Sequence, residues 1–428
     1  VLWYLVDSGL PQNAASQEIL AQATKPFLDK NPGVRLKAGY MVGNSIIPSM
    51  IAGAGPDIIS DWVASPYWQD NLLLKLDDLM RKDNIDTSVW SKGQMQVMQQ
   101  PFGTYMLPAY FSPMVYVVRL SDLDEAGLAY PGTDWTYQEL TTLARQLTVT
   151  SGQKTRYGTD APLQNNSIGG ETFVFQAFGG NIMDAAGTKQ TLSDPGSVAA
   201  GNWLYEELFW PKVGSGRDQI WGKTGMDGFL SDQQSMRVIW GNGFLITLAQ
   251  SKGFKWQIYP YPIFPQGRVT EGTEDFYGIN AQTKHPDAAW ALLKYVTYEH
   301  TFTRALMHAA LQTPAIVALW PEWQAVVEAT APTLKGKGLE WYSDAALKGY
   351  GLSGQYFRHG DTHIRSIDNA WMTRLLSRKY SVEEAYTQAD QQVNTYIPTA
   401  AAEEAAGQKA AAKFPSAGPP MAQVQPGL

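Results

Sequence analysis

The nearest approach to a metal-ligand cluster in this chain is His359 and His363, four residues apart with Asp361 between them in His-Gly-Asp-Thr-His. In a helix the two imidazoles would share a face, but Gly360 opposes a helix there and the glutamate of H-E-x-x-H is missing, so no metal site is expected. Phosphate chemistry has less support. No G-x-x-x-x-G-K-[ST] occurs, and Gly53-Ala54-Gly55 lacks a third glycine and runs into Pro56 where a helix should start. A serine nucleophile needs a G-x-S-x-G elbow, whereas Ser167 sits in Asn-Asn-Ser-Ile-Gly. With no cysteine in the chain, disulfides, thiolate metal sites and cysteine nucleophiles drop out. Paired carboxylates for glycoside cleavage stay open, because the 40 acidic residues supply candidates throughout. The separation that defines such a pair, ~5 to 9.5 Å, is three-dimensional.

Aromatic residues set among small polar ones point to a different chemistry. They stand in Asp61-Trp62, Tyr67-Trp68, Tyr110-Phe111, Trp240-Gly241-Asn242-Gly243-Phe244 and Phe276-Tyr277-Gly278, in a chain with 15 tryptophans, 21 tyrosines and 15 phenylalanines. A pyranose presents an apolar face of C–H groups and an edge of hydroxyls. Rings can stack on the face while Asp, Asn and Gln bind the edge. Any one of these rings would serve equally well as core packing; as a set they favour a sugar-binding lining.

Something must hold those segments together, and 428 residues exceed the roughly 250 to 300 at which a single core stops growing, so two large lobes are expected. Thirty-three basic against 40 acidic residues, without a basic block, make nucleic acid and anionic membrane poor partners. No window reaches the ~18 to 20 consecutive apolar residues of a membrane helix. Val1 to Val6 is too short for a signal core, so any secretory leader is expected to have been removed.

The amino-terminal third alternates in period. Leu2 to Val6 reads as a buried strand, Ile19 to Leu28 as a helix with a kink at Pro26, Val34 to Tyr40 as a strand, Ser45 to Ile51 as a helix and Asp57-Ile58-Ile59 as a strand. That order implies a parallel sheet covered by helices. Thr136-x-x-Glu139 is a capping box opening a helix to Leu147. Asp194-Pro195, His285-Pro286 and Ser381-x-x-Glu384 open others. Loops are expected near 163–170 and 214–228, and a short helix followed by a loose tail from Thr399.

Seven segments, in order, resemble the sugar-binding family of extracellular solute-binding proteins of ABC importers that includes maltose-binding protein. They are Phe27 to Val34, Gly53-Ala54-Gly55-Pro56-Asp57-Ile58-Ile59, Leu72 to Leu79, Gly103-Thr104-Tyr105-Met106-Leu107-Pro108, Tyr130 to Thr136, Met236 to Phe244, and Lys284-His285-Pro286-Asp287-Ala288-Ala289-Trp290. The resemblance implies an α/β, two-lobe periplasmic-binding-protein fold with hinge crossings near Ala109 to Ser112, Pro260 to Pro265 and Thr313 to Ala315. The lobes would be discontinuous: 1–108 plus 266–312, and 109–265 plus 313–398, with an Ala/Pro-rich tail at 399–428.

By the same resemblance, ligand contacts fall on Asp7, Ser8 and Gln12 after the first strand, on Asp61 and Trp62, and on Tyr110 at the first crossing. The family's stacking tryptophan maps onto either Trp240 or Phe244. Asn165 and Asn166 are candidate edge binders, and Phe276-Tyr277 lies where a loop approaches the ligand. The implied function is non-catalytic capture of an oligosaccharide or polyol outside the cytoplasm and delivery to the transmembrane subunits of an ABC importer. The protein would act as a monomer without cofactor, and either free in a periplasm or tethered by a lipidated segment ahead of Val1. The rivals are a carbohydrate hydrolase using Asp61 as one carboxylate, and the same fold binding a phosphodiester, polyamine or peptide. The segment Ser353 to Asp368, with His359, Asp361 and His363, is left unassigned.

Overall fold

Short apolar runs separated by amphipathic helices build a parallel sheet, because parallel neighbours need a crossover between them. The computed structural model describes residues 2–5, 13–39, 46–61, 71–100, 103–151, 154–160, 172–215, 226–352, 357 and 359–411. At its start, β1 (Leu2–Leu5) lies between β2 (Leu36–Gly39) and β3 (Ile58–Asp61), parallel to both. The helices α1 (Ala14–Lys30) and α2 (Ile46–Ile51) occupy the crossovers. Asn13 caps α1 by accepting from Ser16 N at 3.0 Å, and Leu20, Ala23 and Phe27 form its buried stripe. Pro26 does not break this helix. The carbonyl it leaves without a donor belongs to Gln22, which is exposed to water.

The remaining strands are β4 (Met106–Pro113), β5 (Val115–Arg119), β6 (Met236–Ile239), β7 (Trp256–Tyr259), β8 (Thr270–Ile279) and β9 (Gly351–Leu352). The principal later helices are α3 (Tyr137–Leu147), α4 (Gly241–Gln250), α5 (Pro286–Thr297), α6 (His300–Ala310), α7 (Trp320–Thr330), α8 (Asp361–Leu376) and α9 (Val382–Ala411). The first sheet turns out mixed: β8 joins β3 antiparallel, with Phe276 opposite Asp61, and on its other side pairs with β4. A second sheet, β6–β5–β7, is antiparallel.

Buried side chains separate into three clusters. The first draws on residues from Leu20 to Leu107 and then from Phe276 to Phe302, with Ala315. The other two lie on opposite faces of β6–β5–β7: Tyr116, Val118, Met236 and Val238 point into one, and Val115, Val117, Ile239 and Ile258 into the other. This is the period-2 alternation of a sheet covered on both sides. Tyr261 and Phe264 belong to the cluster of Tyr116, not to the first, and Ile263–Phe264 forms a hairpin with Gly267–Arg268. The prolines at 260, 262 and 265 therefore punctuate a turn, and the chain passes back towards the first cluster later, along β8.

Three passes of chain converge there. Tyr110 of β4 stands opposite Asp275 of β8 and bridges Pro314, while the Ser112 and Thr313 hydroxyls lie 2.5 Å apart. The ring of Phe111 is held between two backbones: a Cβ placed on Gly272 would lie 1.9 Å from Phe111 Cε2, and one on Gly351 would lie 2.5 Å from Phe111 Cζ. Farther along, the Ser381–Glu384 box opens α9, which runs through Pro398 to Ala411. The alanine-rich segment from Thr399 is thus a continuation of that helix, docked through Ala400, which is 1% exposed. Overpacking a site of this kind costs about 1 to 3 kcal/mol. Gly272→Ala is accordingly expected to lower unfolding free energy by about that amount in chemical denaturation, with partial recovery when Phe111→Leu is added. A Gly272→Ala protein as stable as its parent would contradict the crowding argument.

Candidate functional site

The end of β3 and the middle of β4 flank β8, and this places Asp61 and Tyr110 on either side of it. Neighbouring strands lie ~4.8 Å apart, so the two backbones are about 10 Å apart. Both residues are half-buried. The Tyr110 carbonyl accepts from Gln94 Nε2 at 3.4 Å, and Gln94, 0% exposed, is itself fixed in a capping box with Ser91.

After β6 the chain must turn sharply into α4, and Gly241 takes φ +64°, a left-handed conformation that glycine adopts without steric cost. A Cβ on Gly241 would lie 3.8 Å from Ser112 Oγ, so α4 starts against the crossing strand. Asn242 Nδ2 donates to the Ala310 carbonyl at 2.6 Å and ties this start to the end of α6. The half-buried rings of Trp240, the residue that caps α4, and Phe244 in its first turn meet edge to face, centroids 4.7 Å apart at 63°. Trp240 and Phe244 therefore stand at the start of a helix set against Ser112, two residues along β4 from Tyr110.

Of the other sequence candidates, Asp7, Ser8, Gln12, Trp62, Asn165 and Asn166 lie outside the described residues, as do Tyr67 and Trp68. The structure places Phe276 and Tyr277 in the first cluster, 0% and 3% exposed. The physical reason is that β8 is an interior strand with both faces covered, so these two rings are committed to packing. His359 Nδ1 lies 2.7 Å from Glu404, which also accepts from Gly360 N at 2.8 Å, while the His363 ring packs on Tyr396 at 4.3 Å. The histidine pair thus clasps α8 to the end of α9. Among the described residues no group of three or more His, Asp or Glu could hold a metal, and no helix is long and apolar enough to cross a membrane.

Two charged residues behind the aromatic pair were not foreseen. Arg237, 0% exposed, sits in the apolar run Met236-Arg237-Val238-Ile239. Its Nε donates to the Val238 carbonyl at 3.2 Å, and its guanidinium lies 5.6 Å from the Phe244 ring centroid. Asp160, 3% exposed, accepts from Val238 N with both oxygens, at 3.0 and 3.2 Å. A charge interrupting a buried strand was the available sequence signal. Burial pushes the Asp160 carboxyl up to about 6, against the opposing pull of Arg237 and the Val238 amide.

That value has a consequence for stability. The folded-state pKa of about 6 lies above the 3.8 that Asp160 regains on unfolding. Protonation therefore favours the folded chain: the contribution is whole below about 3.8 and lost as pH rises through about 6. Unfolding free energy is expected to lose on the order of 1 to 3 kcal/mol from this group between about pH 4 and pH 7. Asp160→Asn should flatten that part of the profile. Denaturation curves across the range check this, and a slope unchanged in the variant would refute it.

The pattern that defines the bacterial extracellular solute-binding proteins matches residues 8–299. No curated protein sequence matches the chain. Among solved structures, the ABC substrate-binding protein Lmo0181 from Listeria monocytogenes, in complex with cycloalternan, has a TM-score of 0.72 at 19% identity over 93% of this chain and 98% of its own. The GacH receptor of Streptomyces glaucescens, solved unliganded and with acarbose, has a TM-score of 0.67 at 17% identity over 93% and 98%. UgpB from Mycobacterium tuberculosis, in complex with glycerophosphocholine, has a TM-score of 0.68 at 19% identity over 93% and 98%. At such identities these structures establish the fold, which is that of the two-lobe binding proteins. Because the family pattern spans most of the sequence, the chain belongs to the bacterial extracellular solute-binding protein family.

Proposed function

We propose that this protein is a carbohydrate receptor outside the cytoplasm that closes two lobes on an oligosaccharide or related polyol and presents it, unaltered, to an ABC importer's membrane subunits. The first hydrophobic cluster marks one lobe and the other two clusters mark its partner, with the crossing of β4, β8 and Thr313–Pro314 as the hinge. The observation that carries the reading is the half-buried Trp240–Phe244 pair at the start of α4, which is set against Ser112 of that crossing. Apolar ring faces next to hydroxyl and amide groups suit the two surfaces of a sugar. Ligand touching both lobes favours the closed state by as much as it prefers that state, and no covalent step is needed.

Relatives of the same fold are described with cycloalternan, with acarbose and with glycerophosphocholine, so the fold by itself does not choose between sugar and phosphodiester. The aromatic pair favours sugar. The family pattern and the relatives of the same fold are those of binding proteins, which favours capture over hydrolysis. The proposed ligand residues are Asp61, Trp62, Tyr110, Trp240 and Phe244, with Asp7, Ser8, Gln12, Asn165 and Asn166 from the segments named by sequence; the receptor acts as a monomer.

Calorimetry on ligand-stripped protein against neutral oligosaccharides, a glycerophosphodiester and a polyamine tests the reading. A neutral sugar is expected to bind saturably, shift tryptophan fluorescence and be recovered intact; glycan fragments, or binding of the phosphodiester alone, would overturn it. Trp240→Ala and Trp62→Ala are each expected to weaken sugar binding by about 1 to 3 kcal/mol, as at other face-stacking sites. If instead melting temperature drops with no selective loss of affinity, the ring is a packing residue.

A further inference from the structure

We propose that Arg237, which together with Asp160 holds Val238, is a positioning residue that fixes the Trp240–Phe244 pair. This rests on the reading of that pair as a ligand platform. The fold itself does not call for a charge at this place. Arg237 sits in a buried strand between Met236 and Val238, opposite Val117 in the register, where a β-branched apolar side chain would pack without desolvating an ion. What the charge does is visible in its contacts.

Arg237 Nε takes the carbonyl of Val238 at 3.2 Å, and the Asp160 carboxylate takes the amide of the same residue at 3.0 Å. The N–H and C=O of Val238, two residues before Trp240, are thereby pinned from the edge of β6. The guanidinium then lies 5.6 Å from the Phe244 centroid, within cation–π range, and Phe244 meets Trp240 at 4.7 Å. Asp160 and Arg237 meet at Val238, and from Arg237 the contacts run through Phe244 to the tryptophan ring. A charge pair that served stability alone would have no need to end on that ring.

The test uses the full chain, stripped of ligand. Asp160→Asn combined with Arg237→Met removes both charges and leaves no buried ion unpaired. In near-ultraviolet circular dichroism without ligand, the double variant is expected to differ from its parent in the tryptophan region. That difference should vanish when both proteins carry Trp240→Phe. Affinity for the best-binding neutral oligosaccharide should fall about tenfold or more without a matching drop in melting temperature, and Arg237→Lys should recover part of it. A spectral difference that persists in the Trp240→Phe background, or an affinity loss that merely tracks melting temperature, would overturn the proposal. If the parent binds no sugar, the receptor reading fails while the ligand-free spectra still decide the positioning role. Should the double variant not fold, Arg237→Lys carries the test. Weaker binding and an altered spectrum support the role, and a spectrum and affinity equal to the parent's overturn it.

Discussion

Side by side at the crossing of β4, β8 and the Thr313–Pro314 segment, stretches of backbone approach so closely that the ring of Phe111 leaves no room for a Cβ at Gly272 or, on β9, at Gly351. The hydroxyls of Ser112 and Thr313 close the same gap at 2.5 Å. Each strand that passes here serves two packing regions: Met106 and Leu107 lie in one and Phe111 in another, while Phe276 to Ile279 return to the first. In the proposed receptor this seam is the hinge, where a few residues change backbone angles and leave each core intact. The start of α4 is placed against this seam, so the proposed ligand platform and the pivot are neighbours by construction.

Local chemistry made much of the fold legible. Thr136 and Glu139 form the reciprocal cap that their spacing predicts, with Thr136 N donating to Glu139 at 2.6 Å. Pro286 opens α5, and Ser381 and Glu384 open α9. The parallel start of the sheet followed from alternation of period alone. What a single sequence could not supply was pairing at long range. That β8 lies antiparallel against β3, more than 200 positions away, is decided by which apolar faces meet, and the prolines around Tyr261, read from the sequence as a crossing, lead into a hairpin of Ile263–Phe264 with Gly267–Arg268.

The candidate site was legible to the same degree and for the same reason. Trp240 and Phe244 were alternatives for one stacking ring, and the helix spacing makes them a pair. Phe276-Tyr277-Gly278 has the same aromatic-plus-glycine composition but lies in an interior strand, and composition does not distinguish a lining from a core. The abundance of tryptophan misleads in the same way: Trp90, Trp135, Trp203, Trp256, Trp290, Trp320 and Trp323 are all buried, and packing accounts for them.

Shared architecture at 17% to 19% identity, with solved relatives described with such different ligands, leaves the choice of ligand to side chains and not to the fold. In the proposed platform the ring faces are apolar, and their direction is set from behind by buried polar groups. Asp160 and Arg237 occupy that place, both buried and both anchored to Val238. Keeping charge behind the rings leaves the half-buried aromatic faces without a net charge of their own, which fits a neutral, hydroxylated guest better than an ionic one.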